Sequence, residues 1–203
     1  ANQRYHIMTQ TIIPRPLAWV LTDSSTNTDN SNFNLAPFSY FTAVSSAPPI
    51  LMLSVGKKPN GDDKDTLVNV RKNKELVIHI PSQHQAELVT QTAATLEHGD
   101  SELQTTELAT TNFDGFSLPR LTDCAIAYGC ELYEIKALGD VPQNLIFVEV
   151  KQVYINDGVA SINVDAHGNE RIKIHADKVK PLARLGGGEY AGITAPFALA
   201  RPK

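Results

Sequence analysis

The chain reads as a mainly β protein, an antiparallel barrel with one or two helices beside it. Three observations predict this class. Strand-like runs outnumber helical ones. No strand–helix alternation appears that would build a parallel sheet. No internal repeat, low-complexity stretch or linker divides the 203 residues, so they read as a single domain over 1–203.

The totals narrow the function. Hydrophobic residues at 42% and charged residues at 20% suit a soluble globular protein. A net charge of −4 offers no general attraction to nucleic acid or an anionic membrane, so any anion site must be local. No apolar run approaches the ~20 residues that cross a bilayer. The first residues, ANQRYHIMTQTIIPRP, lack the charged start and apolar core of a secretory signal. Read as one strand, Cys124 and Cys130 would sit ~20 Å apart on one face, beyond the ~7 Å that a disulfide spans. Buried thiols and a cytoplasmic location are the expectation.

The elements follow in order. Arg4 to Ile13 is a short helix, stopped by Pro14-Arg15-Pro16, which favours extended backbone. Leu17 to Leu21 is a strand. Thr22 to Asn34 is a long polar loop. Leu35 to Val44 is a second strand, with Pro37 at an edge or bulge. Ser45 to Pro49 is a turn, and Ile50 to Val55 a buried strand. Lys57 to Asp63 is a basic loop. Asp63 or Asp65 then caps a helix over Thr66 to Lys72, with Lys72 and Lys74 suiting the negative end of its dipole. Glu75 to Ile80 is a strand. Ser82 to Gln85 is a capping box that opens a helix carrying Ala86, Val89, Ala93 and Leu96 at helical spacing. Residues 97–123 form an irregular excursion, packed on the core or on a partner. Cys124 to Leu138 and Leu145 to Ile155 are long strands joined by a turn. Asn156-Asp157-Gly158 turns into a short strand over Val159 to Val164. Leu182 to Tyr190 combines a cation with three glycines.

The chemistry concentrates between Asn34 and Thr66, which suits a flat, partly apolar, phosphorylated ligand. Ser54, Gly56, Lys64, Asp65 and Thr66 offer the hydroxyls, backbone N–H groups, cation and helix start that a phosphate needs. Asp65 would serve through its N–H. Thr42, Ala43, Val44, Ser45 and Ser46 can lay a strand edge against a ring system. By spacing alone these segments read first as an ordinary basic turn and a Ser/Thr-rich strand. His79 shares a face with Val77 and reads as packed. His84 with Glu87 and His167 with Glu170 have helical spacing but only two ligands each, so no metal site is expected. Glu97, Asp100 and Glu102 read as a solvated acidic face. Ser45 and Ser46 lack a hydrolase elbow, and Gly186 to Gly188 lack the dinucleotide spacing. No catalytic acid or base stands out.

Pro14-Arg15-Pro16-Leu17-Ala18-Trp19-Val20, then Asn34 to Phe41, then Ala43-Val44-Ser45-Ser46 before Pro48-Pro49, then Ser54-Val55-Gly56, then Lys64 to Leu67 stand in one order. Together they resemble the flavin reductase-like, FMN-binding split-barrel family, over about Tyr5 to Tyr190. Arg184 to Gly187 with Tyr190 is similar to the family's C-terminal segment. The resemblance implies a Greek-key split barrel and a homodimer with FMN near the subunit interface. It implies that Ser39, Thr42 to Ser46 and Ser54 to Gly56 lie along the flavin and Lys64 to Thr66 at its phosphate, with Arg15 in the same pocket. Thr42, Leu21 and the loop from Asp23 to Asn32 depart from the family pattern. The implied activity is an NAD(P)H:flavin oxidoreductase that passes electrons to free flavin or a partner oxygenase. A flavoredoxin-like electron carrier and a split-barrel protein that holds haem or another ligand without turnover are the alternatives.

Overall fold

The computed structural model describes residues 3–25, 32–94, 96, 100–164 and 167–200. Helix α1 (Gln3–Thr11) leads into β1 (Arg15–Pro16), β2 (Ala18–Asp23), β3 (Phe33–Phe38), β4 (Phe41–Ser46) and β5 (Pro49–Val55). Helix α2 (Asp65–Asn73), β6 (Glu75–His79), α3 (Ala86–Gln91) and α4 (Glu102–Thr106) follow. After β7 (Thr110–Thr111) and β8 (Arg120–Leu121) come the long strands β9 (Ile126–Leu138) and β10 (Gln143–Ile155). The hairpin β11 (Ala160–Val164) and β12 (Glu170–Ile174), α5 (Ala176–Val179), β13 (Leu182–Arg184) and β14 (Tyr190–Gly192) complete the chain.

Seven strands form one antiparallel sheet in the order β3-β2-β6-β9-β10-β5-β4. Its two edge strands, β3 and β4, are consecutive in the chain and separated only by Ser39 and Tyr40. A sheet whose first and last strands lie two residues apart must curl until its edges meet. The result is a barrel whose ladder is split between β3 and β4, with the Ser39–Tyr40 bend at the split.

Strand β2 is buried on both faces because its residues alternate between two cores. Ala18 and Val20 point into the barrel with Leu53, Val55, Ile78, Ile146 and Val148, and α2 closes that core with Leu67 and Val70. Trp19 and Leu21 point outward to Leu35, Val77 and Ala127, covered by Val89 of α3 and by Phe113, Leu118 and Leu121. The excursion over residues 97–123 thus packs on the chain's own barrel where it is described; Glu97 and His98 lie outside the described residues. The Trp19 indole donates to Thr92 Oγ1 at 2.8 Å, and Thr92 is itself buried. Replacing Thr92 with Val removes that acceptor. Stability should fall by about 1–2 kcal/mol, read as a lower urea midpoint with an unchanged slope.

Several sequence expectations need correction. The run from Leu35 to Val44 is two strands, because the chain bends at Ser39–Tyr40 while remaining β-favouring throughout. The strands flanking the polar loop extend to Asp23 and back to Phe33; residues 26–31 lie outside the described residues. The turn after β4 shrinks to Ala47-Pro48. Lys64, not an aspartate, is the N-cap of α2. The two candidate caps are held by cations instead: Asp63 pairs with Lys57 at 2.5 Å and Arg71 at 2.7 Å, and Asp65 with Lys58 at 2.8 Å. The capping box at Ser82 is present, but its helix α3 ends at Gln91. Cys124 precedes β9 and sits in the outer core, while Cys130 sits in the inner one, so the two free thiols lie on opposite faces of the sheet. Glu102 is buried rather than solvated. No helix among the described residues is long and apolar enough to cross a membrane.

Candidate functional site

A cavity of about 570 Å³ opens at the split. The bend supplies Ser39 and Tyr40, the end of β3 Pro37 and Phe38, and the end of β5 Ser54, with Gly56 just beyond it. The basic loop supplies Lys57 and Lys64. Helix α1 closes one side with Tyr5, His6 and Thr9, and the turn after β13 adds Arg184 and Gly187. Its size falls within the usual range for small-molecule sites, roughly 300–1,000 Å³.

Five residues singled out in the sequence therefore converge: Arg15, Ser39, Ser54, Gly56 and Lys64. Two groups do not join them. Thr42 to Ser46 run along β4, the exposed outer edge of the sheet, beside the split rather than inside the cavity. Asp65 and Thr66 face a separate, much smaller recess that Lys64 also borders. Tyr5, His6, Thr9, Lys57, Tyr40, Gln143 and Gly187 were missed. Tyr40 and Lys57 lay inside the Asn34–Thr66 stretch and Gly187 inside the glycine-rich Leu182–Tyr190 segment, but nothing local marks Tyr5, His6, Thr9 and Gln143, which reach the cavity from distant segments.

The lysines differ electrostatically. Lys57 and Lys58 are paired with Asp63 and Asp65, the first shared with Arg71. Lys64 is the cavity lysine that has no carboxylate partner among the described residues. It is half-buried, and its Nζ lies 5.9 Å from the centre of the Phe38 ring. Gln143 packs against Gly56 so closely that a Cβ there would meet the Gln143 amide at 3.1 Å, so glycine keeps this wall open. Arg184 lies over the Tyr190 ring at 4.5 Å and donates to the Gly187 carbonyl. The Tyr40 hydroxyl is buried, with no hydrogen bond of standard geometry among the described residues. Burial and the neighbouring Tyr5 phenol hold its pKa above the usual tyrosine value, against the opposing pull of Arg15.

The second recess belongs to a buried polar network. The Asn34 amide donates to both Glu102 oxygens at 3.0 and 2.9 Å, the Leu35 N–H donates to Glu102 at 2.9 Å, and Thr66 Oγ1 donates to Asn34 Oδ1 at 3.2 Å. Burial raises the Glu102 pKa despite these donors, and the Asp65 charge adds to the rise. The Thr66 hydroxyl is thus engaged in fastening α2 to β3 and α4. An anion placed at it would also face a carboxylate.

His79 is buried and structural. Its Nδ1–H donates to the Trp19 carbonyl at 3.0 Å, and Nε2 accepts from the Leu121 N–H at 2.9 Å. His84 hydrogen-bonds Ser82, and no metal-binding cluster occurs among the described residues. A half-buried cation, the hydroxyls of Thr9, Ser39 and Ser54 and three aromatic side chains (Tyr5, Phe38, Tyr40) form a lining that fits a phosphorylated aromatic ligand.

The sequence matches the model of the flavin reductase like domain over residues 9–171. A Bacillus subtilis protein, YwrF, is 33% identical over 204 residues, covering all of this chain and 95% of that one. The structure of nitrilotriacetate monooxygenase component B from Bacillus cereus superposes with a TM-score of 0.82 at 31% identity, over 97% of this chain and 93% of that one. A split barrel domain protein from Shewanella frigidimarina superposes with a TM-score of 0.81 over all of this chain and 93% of that one; at 19% identity it bears on the fold alone.

Proposed function

The chain belongs to the flavin reductase-like domain family, and from that premise we propose that it is an FMN-dependent NAD(P)H:flavin oxidoreductase acting as a homodimer. The observation that carries this reading is Lys64, a half-buried cation without a carboxylate partner among the described residues, in a cavity whose other walls include aromatic and hydroxyl-bearing side chains. Lys64 and the Ser54 hydroxyl would hold the phosphate. Ser39 and the free edge of β4, Thr42 to Ser46, would offer hydrogen-bonding groups to the polar edge of the ring. A bound flavin supplies the redox chemistry, while these residues bind, orient and tune it.

A second copy of the chain would cover what the single copy leaves bare. The β4 edge is unpaired, and Tyr133, Leu138 and Val141 along the β9–β10 hairpin are exposed. The electron acceptor in this reading is free flavin or a partner oxygenase. The Bacillus cereus neighbour, named as one component of a monooxygenase, supports the second.

The test is an absorption spectrum of the protein after FMN loading and removal of excess, followed by anaerobic NADH and NADPH. Retained flavin bands that bleach rapidly with either nucleotide are expected. Bands that persist with both would make the protein a flavoredoxin-like carrier. Inactivity in steady-state nucleotide oxidation with free FMN would refute the reductase.

A further inference from the structure

Three of the cavity's walls meet at one buried side chain. Arg15 is buried, 8% exposed. Its Nη1 donates to the carbonyls of Thr9 at 2.5 Å and Ile12 at 2.9 Å, its Nη2 to the Leu185 carbonyl at 2.6 Å, and its Nε to Ser39 Oγ at 3.4 Å. A guanidinium has five N–H groups, so four of them are engaged by protein. Arg15 was singled out as a ligand contact, but most of its hydrogen-bonding capacity holds α1, the turn after β13 and the bend at the split together.

The wall it holds is shallowly seated, with the Tyr5 phenol beside Tyr40. Helix α1 buries none of its residues, and Tyr5, Ile7 and Ile12 are 55%, 52% and 60% exposed. A nine-residue helix is too short to be stable alone in water. Its C-terminal carbonyls are the groups a cation stabilises best, and Arg15 supplies that cation. A close seat is Gly186, where Gln10 lies so near that an added Cβ would meet its Cγ at 2.5 Å and its Cα at 3.3 Å.

We infer that Arg15 is a positioning residue that fastens α1 as a detachable wall of the cavity, so that release of α1 admits and discharges the ligand. The kinetic part of this inference rests on the flavin reading above; the structural part does not.

Two variants test it. Arg15→Ala removes the fastening. Gly186→Ala pushes α1 from its seat and leaves Arg15 in place; Gly186 does not have the left-handed backbone that would strain an alanine. Amide exchange over residues 5–12 should quicken about tenfold in both, equivalent to ~1.4 kcal/mol lost from the closed arrangement, while β2 and β6 keep their protection. If β2 and β6 also lose protection in Arg15→Ala, Gly186→Ala alone decides. For FMN, association and dissociation should accelerate together in Gly186→Ala, with little change in affinity, because a gate speeds both directions. Unchanged exchange over 5–12 in Gly186→Ala, or a rise in dissociation alone, would overturn the inference. If the wild-type protein does not bind FMN, the flavin reading fails by itself and the exchange measurement still decides the role of Arg15.

Discussion

Lys64→Ala should weaken FMN binding about 10- to 100-fold and leave riboflavin binding within about twofold. The range follows from ~1.5–3 kcal/mol for a hydrogen bond to a charged group, at 1.4 kcal/mol per tenfold. Riboflavin has the same ring and side chain but no phosphate, so it isolates the interaction. Lys57 and Lys58 do not replace Lys64, because they are already paired with Asp63 and Asp65. Thr66→Ala should behave differently. Its hydroxyl donates to Asn34 inside the Glu102 network, so the loss should appear as lower stability, with FMN and riboflavin affected alike. Titrations of both ligands into both variants separate these outcomes. Equal loss of FMN and riboflavin in Lys64→Ala would refute the phosphate assignment.

The protein should lose about 3 kcal/mol of stability through His79 as the pH falls from 7 to 4. Burial, aided by the charge of Arg120, lowers the His79 pKa to about 4 from its ordinary 6.5, and the hydrogen bond to the Trp19 carbonyl only partly offsets this. Between those two values the unfolded chain takes up a proton that the folded chain refuses. Stability is therefore complete above pH 6.5 and declines until the folded histidine also titrates near pH 4. The magnitude is the shift multiplied by ~1.36 kcal/mol per pH unit. Protonating Nε2 would in addition cost the hydrogen bond it accepts from the Leu121 N–H. His79→Gln lowers stability at neutral pH but removes this titration. Urea unfolding of both proteins at pH 7, 6, 5 and 4 is the measurement. Parallel pH dependences in the two would show that His79 does not titrate in this window. Glu102 acts in the opposite direction, since its raised pKa lets the folded chain take up a proton more readily. Comparing slopes between variants cancels that contribution.

Much of the fold was legible because it depends on local pattern. The strands beginning near Leu17, Ile50 and Glu75, the two long β runs and the helix through Leu67 and Val70 are periodic apolar segments bounded by proline, glycine or polar turns. The break at Ser39–Tyr40 was not legible, because residues on both sides favour strand and the bend is imposed by closure of the barrel. The buried state of Glu102 was not legible either. An acidic stretch looks solvated until Asn34 and Leu35, more than sixty positions away, supply its donors.

The sequence by itself determined the class of the fold and the concentration of hydroxyls and cations between Ser39 and Lys64. Those features reside in composition and short-range spacing. Only the tertiary structure decided which of these residues share a cavity. It gathered Ser39, Ser54, Gly56 and Lys64, left Thr42 to Ser46 on a free edge, and turned Thr66 into a buried network. It also added α1 and the turn after β13 as walls, joined through Arg15 to a carbonyl 170 positions away. The physical reason is that charge pairing and hydrogen bonding are settled by distance in space. A lysine is free or neutralised according to which carboxylate the folded chain brings to it, and that depends on how the sheet curls.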